Sequence, residues 1–413
     1  MASALREAVR WMKRQRLEYQ LDRAPGEAKK LANSELNWRE FWHGRTHLYS
    51  RPRFVQVGTN WTCNLKCNFC RLTLEETQKT LKAKPKNELE ISPRVLDHVL
   101  ELMPYPEMIT LTPLGEPLLY SKVGLVLEHH RRIGSRNLAM TTNANLINDE
   151  RARMIVEGGV SHLFVSIDSS DPDIYASMRV LGNLPKVEAA LESINRWKDK
   201  LNSPTPTMTL ASTFMERNVR TMPDLLDFGV RHRFHSFSIQ LMETENLELE
   251  SEFLGHHMPI AKEMLLETLR RSQGKPIEVK VNIAFRNLLT HMLSLPEARL
   301  IDSALEGAPS GDTADTPMDP DSPIASLSTK SKHLTEKCHY PWYMLLIDTD
   351  GDSRPCCWAG SSYGNLNSLT LEDIWNGPST QQMRTEFLNN HIPKGCQHKH
   401  CRVDLDHDGT LEL

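Results

Sequence analysis

RFVQVGTNWTCNLKCNFCR (residues 53–71) decides how this chain is read. Phe54, Val55 and Val57 make a short apolar strand that runs straight into a loop carrying Cys63, Cys67 and Cys70, spaced CxxxCxxC. Only eight cysteines serve 413 residues, so this crowding needs a chemical reason. A disulfide takes two thiols and a closed tetrahedral metal site takes four ligands. Three thiolates can hold three irons of a four-iron cube and leave the fourth iron open, which is what a catalytic centre needs. The rival readings are a zinc knuckle completed by a distant His or Cys, and three unrelated buried thiols.

Outward from the loop the chain alternates. Apolar strands are read at MITLTPLG (108–115), NLAMTTN (137–143), HLFVSID (162–168), TMTLASTF (207–214) and FHSFSIQLME (234–243). Amphipathic helices lie between them, at SPRVLDHVLELM (92–103), KVGLVLEHHRRIG (122–134), NDERARMIVEGG (148–159) and LPKVEAALESINRWKDKL (184–201). Near-continuous apolar strands alternating with helices specify a parallel sheet covered by helices. About six such units fall short of the eight of a closed barrel, so the fold class is α/β, a partial (β/α)6 barrel. In such folds ligands bind at the C-terminal ends of the strands, where the cysteine loop sits.

The expected organisation is a helical arm at 1–52, the partial barrel at 53–245, a helical connector at 246–302, an insert at 303–335 and a cysteine-bearing domain at 336–413. The arm opens with a basic amphipathic helix around Leu5, Val9, Trp11, Met12 and Leu17, read as packing on its own protein or a partner rather than on a membrane surface. The insert is rich in Pro, Ser, Asp and Thr without an aromatic residue, the composition of a flexible segment. With 39% hydrophobic and 25% charged residues the chain can bury a sizeable core. A net charge of −4 gives no bulk attraction to nucleic acid or anionic membrane. No apolar run is long enough to span a bilayer and no secretory signal is read, so a cytoplasmic, reducing setting is expected. Clustered cysteines there indicate metal or redox chemistry.

Cys63, Cys67, Phe69 and Cys70 match the CxxxCxΦC motif, with Φ an aromatic residue, of the radical S-adenosylmethionine superfamily, which the chain resembles over roughly residues 53–245. Leu114-Gly115-Glu116-Pro117 resembles that family's GGEP, with leucine in place of the first glycine. Thr142 and Asn143 fall in a TTN strand end, Ser166 and Asp168 in an SID strand end, and Arg179 in the segment that follows. The resemblance implies a [4Fe–4S] cluster on Cys63, Cys67 and Cys70, with S-adenosylmethionine on the open iron. It implies cofactor contacts from Phe69, Gly115, Glu116, Thr142, Asn143, Ser166, Asp168 and Arg179, the last to the methionine carboxylate. Ser, Thr and Asn at strand ends are also common caps and turn formers.

A second cysteine group comprises Cys338, Cys356, Cys357, Cys396 and Cys401. The runs flanking DTDGD (348–352) read as a hairpin, and Thr370 and Asp373 have helix-capping spacing. TDGDSRPCC and YGNLNSLTLEDIWNGP resemble the SPASM and twitch extensions of radical enzymes. That resemblance implies one auxiliary [4Fe–4S] cluster on Cys338, Cys356, Cys396 and Cys401, with Cys357 a spare or substitute ligand. A zinc site on the same cysteines, or on His398 or His400, is the rival. Asp404, Asp406 and His407 in the tail are candidate proton acceptors.

The implied function is reductive cleavage of S-adenosylmethionine to a 5′-deoxyadenosyl radical that abstracts a substrate hydrogen, with the auxiliary cluster moving electrons. The substrate is a small molecule undergoing oxidation or rearrangement, or a peptide under maturation, and an electron donor such as flavodoxin or ferredoxin is required. The arm shows no strand pattern for a leader-peptide-binding module. The alternative class is a non-catalytic iron–sulfur or zinc protein for electron transfer or scaffolding.

Overall fold

The computed structural model describes residues 15–19, 21–112, 114–244, 246–305, 338–357, 359–389, 391 and 393–396. Cys401, His398, His400, Asp404, Asp406 and His407, the first fourteen residues and most of the insert lie outside the described residues.

The strands are β1 (Phe54–Gly58), β2 (Met108–Thr112), β3 (Leu138–Thr142), β4 (His162–Ser166), β5 (Thr207–Phe214), β6 (Ser236–Leu241), β7 (Glu278–Val281), β8 (Met344–Ile347), β9 (Asp352–Arg354) and β10 (Gly364–Asn365). They form one sheet in the order β10-β9-β8-β1-β2-β3-β4-β5-β6-β7. From β8 through β1 to β7 every pairing is parallel, and the sheet does not close on itself. This is the partial barrel read from the six apolar strands. Helices Pro93–Leu102, Val123–Ile133, Asp149–Glu157, Leu184–Lys200 and Met222–Arg231 alternate with the strands. Side chains such as Val55, Val57, Ile109, Leu111, Leu163, Val165, Leu210 and Ile239 make the core and are almost completely buried.

One element departs from the sequence reading and one pairing goes beyond it. The connector expected to be helical contains the helix Met258–Ser272 and also β7, a seventh parallel strand paired to β6. Val279 and Val281 are the buried residues of a four-residue strand, too short to stand out from helical surroundings. The pairing of the cysteine-bearing domain with the barrel is not read from the sequence. That domain's β8 joins the barrel beside β1, with Phe54 opposite Met344 and Val57 opposite Ile347.

The expected hairpin forms as antiparallel β8 and β9, and Thr370 caps the helix Leu371–Asn376 in a reciprocal box with Asp373. The arm helix Gly26–Trp42 is fastened to this region: Asn37 Nδ2 donates to the Trp342 carbonyl at 2.7 Å, and Phe41 and Trp342 meet edge to face at 5.5 Å. Arg384, fully buried, donates to the carbonyls of Pro341 and Thr46 at 2.9 and 2.7 Å. No helix among the described residues is long and apolar enough to cross a membrane.

Candidate active site

The cysteine loop leaves the C-terminal end of β1 and is pinned by segments that follow other strands. Lys66 N–H donates to the Val180 carbonyl at 2.9 Å and Asn68 N–H to that of Met178 at 3.3 Å. Beyond β6, Asn246 Nδ2 donates to the Asn68 carbonyl at 3.0 Å and Thr244 Oγ1 to that of Phe69 at 3.3 Å. Within the loop, Thr73 Oγ1 donates to the carbonyls of Cys67 and Cys70.

Cys63 is exposed, Cys67 buried and Cys70 half-buried. Burial pushes the Cys67 thiol up to about 11 and raises those of Cys63 and Cys70. Two polar side chains reach the sulfurs. Asn143 Nδ2 lies 3.8 Å from Cys63 Sγ, and Arg179 Nη1 lies 3.8 Å from Cys67 Sγ.

The residues singled out from sequence converge on this loop. Gly115 meets it backbone to backbone: a Cβ there would stand 2.3 Å from the Asn60 carbonyl oxygen and 2.7 Å from that of Thr62. Only glycine permits that approach, and Glu116 N–H donates to the Thr62 carbonyl at 2.8 Å. Leu114 replaces the family's first glycine, while the position that touches the loop retains its own.

Glu116 is buried, and both its oxygens serve the end of β3. Thr142 Oγ1 donates to Oε1 at 2.7 Å and Asn143 N–H to Oε2 at 2.9 Å. Burial raises its pKa against those hydrogen bonds. The expected contacts from Glu116 and Thr142 therefore start from a carboxylate and a hydroxyl already paired with each other. Asn143 has its amide nitrogen on Cys63 and on Asn64 Oδ1 at 3.0 Å.

Asp168 and Arg179 come from the end of β4 and the end of the helix Pro172–Met178. Arg179 Nε stands 2.7 Å from Asp168 Oδ2, an ion pair bent away from hydrogen-bond line. Asp168 Oδ1 also accepts from Thr213 N–H at 2.9 Å. Burial opposes the charge on Arg179, and Asp168 and Cys67 beside it outweigh that and raise its pKa. The Phe69 ring faces the same guanidinium, 5.7 Å from centroid to Cζ. Ser166 is half-buried at the end of β4.

Cys338, Cys356 and Cys396 all act electrostatically on one buried side chain, Tyr363. Tyr363 is buried, which raises its phenol pKa, and Cys396, Cys338 and Cys356 add to the effect through their charge. Cys357 is exposed. Because β8 runs parallel to β1, Cys338 precedes the N-terminal ends of the strands, whereas Cys63 follows their C-terminal ends. Cys338 and Cys63 thus lie off opposite ends of the paired strands.

Thiol-only donor sets suit iron–sulfur clusters. Among the described residues no three His, Cys, Asp or Glu side chains close on a single ion, and the thiolates of a four-iron cube stand farther apart than the ligands of one ion. The described thiols, Cys63, Cys67 and Cys70 in one group and Cys338, Cys356 and Cys396 in the other, are of the donor type an iron–sulfur cluster takes. Sequence reading missed Asn60, Thr62 and Asn64, which have no signature outside their contacts with Gly115, Glu116 and Asn143.

The radical SAM superfamily profile matches residues 62–228, and the profile of the SPASM iron–sulfur cluster-binding domain matches residues 338–402. Among curated proteins, the GTP 3′,8-cyclase of Pseudomonas savastanoi pv. phaseolicola is 30% identical over 143 residues, 34% of this chain and 41% of that protein. The GTP 3′,8-cyclase of Aquifex aeolicus is 28% identical over 128 residues, 30% of this chain and 38% of that protein. The chain therefore spans less than half the length of these two relatives. Among solved structures, Streptococcus suis SuiB bound to S-adenosylmethionine superposes with a TM-score of 0.55 at 13% identity, covering 87% of this chain and 72% of SuiB. Native anSMEcpe with bound AdoMet gives 0.54 at 15% identity, covering 85% and 87%.

Proposed function

This chain belongs to the radical SAM superfamily and carries a SPASM domain, and from that premise we propose that it is a two-cluster radical enzyme acting on a small-molecule or peptide substrate. The observation that carries this reading is the loop of Cys63, Cys67 and Cys70, with Asn143 and Arg179 each reaching a sulfur. Cys63, Cys67 and Cys70 would hold the first cluster and Cys338, Cys356, Cys396 and Cys401 the auxiliary one. When bound, the cluster and S-adenosylmethionine supply one-electron cleavage to methionine and a 5′-deoxyadenosyl radical that takes a substrate hydrogen.

The chain's own residues orient and shield. Gly115 brings the exit of β2 against the loop, and Glu116 braces the exit of β3 so that Asn143 meets Cys63. Asp168 fixes Arg179, whose positive charge favours thiolate over thiol at Cys67. Ser166, at the end of β4, and Phe69, against the Arg179 guanidinium, would face the cofactor. Cys338, Cys356, Cys396 and Cys401 would hold an auxiliary cluster suited to electron transfer, and a flavodoxin- or ferredoxin-type donor would supply the first electron. SuiB has been solved with its precursor peptide SuiA, which favours the peptide version; the GTP 3′,8-cyclase similarity favours a small molecule.

Anaerobic reconstitution tests the proposal. About eight irons per chain and dithionite-dependent formation of 5′-deoxyadenosine are expected. Replacing Cys63, Cys67 and Cys70 together by Ala should abolish cleavage while leaving the auxiliary cluster's spectrum. An iron-loaded protein that never cleaves S-adenosylmethionine overturns the reading.

A further inference from the structure

Strands β1 to β4 and β8 line an open cavity of about 420 Å³. Its floor is Phe54, Met108 and Met344, which sit opposite one another in register, closed by Tyr340 and Tyr343. Its wall carries Gln56, Thr110, Thr112 and Thr141, with Phe164 next to Thr141 across the β3–β4 pair. Thr112 lies opposite Gly58 at the upper ends of the strands, just before the turn that carries Gly115 and Glu116. The cavity therefore runs from the auxiliary cysteines' end of the barrel up to the cofactor residues.

No lining side chain is charged. At the floor, the Arg53 guanidinium lies 6.0 Å from the ring centroids of Phe54 and Tyr343 and does not line the cavity. It is already committed to Glu107 at 2.7 Å. Beside the lining residue Phe164, with ring centroids 4.4 Å apart, burial keeps His162 neutral, pushed down to about 4, and both its ring nitrogens are engaged by Thr207 and Thr209 at 2.6 and 2.8 Å. Lys280, on the last parallel strand, pairs with Glu278 at 3.2 Å.

The polar groups differ between the two walls. Thr209 and Ser236 share a hydrogen bond at 2.6 Å on the far wall. On the near wall, the side chains of Gln56, Thr110, Thr112 and Thr141 make no hydrogen bond to other described residues. Buried and half-buried polar groups without partners among the described residues are available to a ligand.

We infer that the part of the substrate entering the barrel is an uncharged group of side-chain size, apolar or aromatic at its tip and hydrogen-bonding along its flank. This rests on the proposed radical reading of the cysteine loop. A nucleotide polyphosphate is disfavoured in this cavity, because burying its charges without cationic partners costs far more than the walls return. A peptide side chain and a small phenol share the favoured chemistry.

The test uses the full chain, reconstituted anaerobically and titrated by calorimetry with N-acetyltyrosinamide, p-cresol and GTP. The neutral probes should bind in the millimolar range and raise the rate of 5′-deoxyadenosine formation. Thr141→Asp and Phe164→Ala should each weaken them, the first by at least about tenfold. GTP should show no binding that these substitutions alter. Tighter binding of the amide-bearing probe assigns a peptide source, and tighter binding of p-cresol a small-molecule one. Absence of millimolar neutral binding, insensitivity of that binding to both substitutions, or GTP binding lost in Phe164→Ala overturns the inference. Failure of S-adenosylmethionine cleavage in the iron-loaded protein would instead strike the radical reading and leave the calorimetry interpretable.

Discussion

A Cβ on Gly115 would stand 2.3 Å from the carbonyl oxygen of Asn60, so the β2 exit and the entrance of the cysteine loop touch through bare backbone. Gly115→Ala must push one of them away. We expect a loss of about 1–3 kcal/mol in stability, the usual cost of overpacking, and reduced iron at the first cluster. Denaturant unfolding and iron analysis measure both; wild-type stability and iron content in the variant would refute the close contact.

Asp168 is completely buried and its charge is opposed by Arg179 at 2.7 Å. Arg179→Met leaves that carboxylate without its counter-ion, a change that typically costs about 3–5 kcal/mol. Arg179→Met combined with Asp168→Asn should recover part of the loss. A double-mutant cycle by urea unfolding shows the coupling, and strictly additive effects would contradict it.

His162 is depressed to about 4 from its ordinary 6.5 by burial, with Lys280 and His235 acting in the same direction. Its folded pKa lies below the unfolded one, so between them the unfolded chain binds the proton first. Stability is full above the unfolded value and falls as the pH drops toward the folded one, by about 1–2 kcal/mol at about pH 5. His162→Gln should flatten this part of the acid limb. The remaining slope belongs to other histidines that burial also depresses, such as His130 and His232. Melting curves across that range check the difference; an unchanged slope would exclude His162 as a contributor.

Cys338, Cys356 and Cys396 share Tyr363 as a neighbour. Cys396→Ala should lower the iron content from about eight to about four per chain. Dithionite-driven cleavage of S-adenosylmethionine should survive, because Cys63, Cys67 and Cys70 lie off the other end of the strands. Full iron content in the variant would remove Cys396 from the ligand set.

The partial barrel was legible because strand and helix patterns repeat within short windows, and the spacing of Cys63, Cys67 and Cys70 is local chemistry. The order of the strand ends bearing Glu116, Asn143, Asp168 and Arg179 was legible for the same reason. β7 was not, being four residues long among helices. Nor was the union of β8 with β1, because that pairing joins residues nearly three hundred positions apart and no local pattern encodes it.

By itself the sequence determined the alternating architecture, the three-thiol loop and the order of the motifs, all of which depend on neighbours along the chain. Tertiary structure alone decided which groups are spent and which are free. It pairs Glu116 with Thr142 and Asp168 with Arg179, and it leaves Gln56, Thr110 and Thr141 facing a cavity without charge. Those outcomes follow from strand register and packing, which bring side chains together across the sheet irrespective of their separation in sequence.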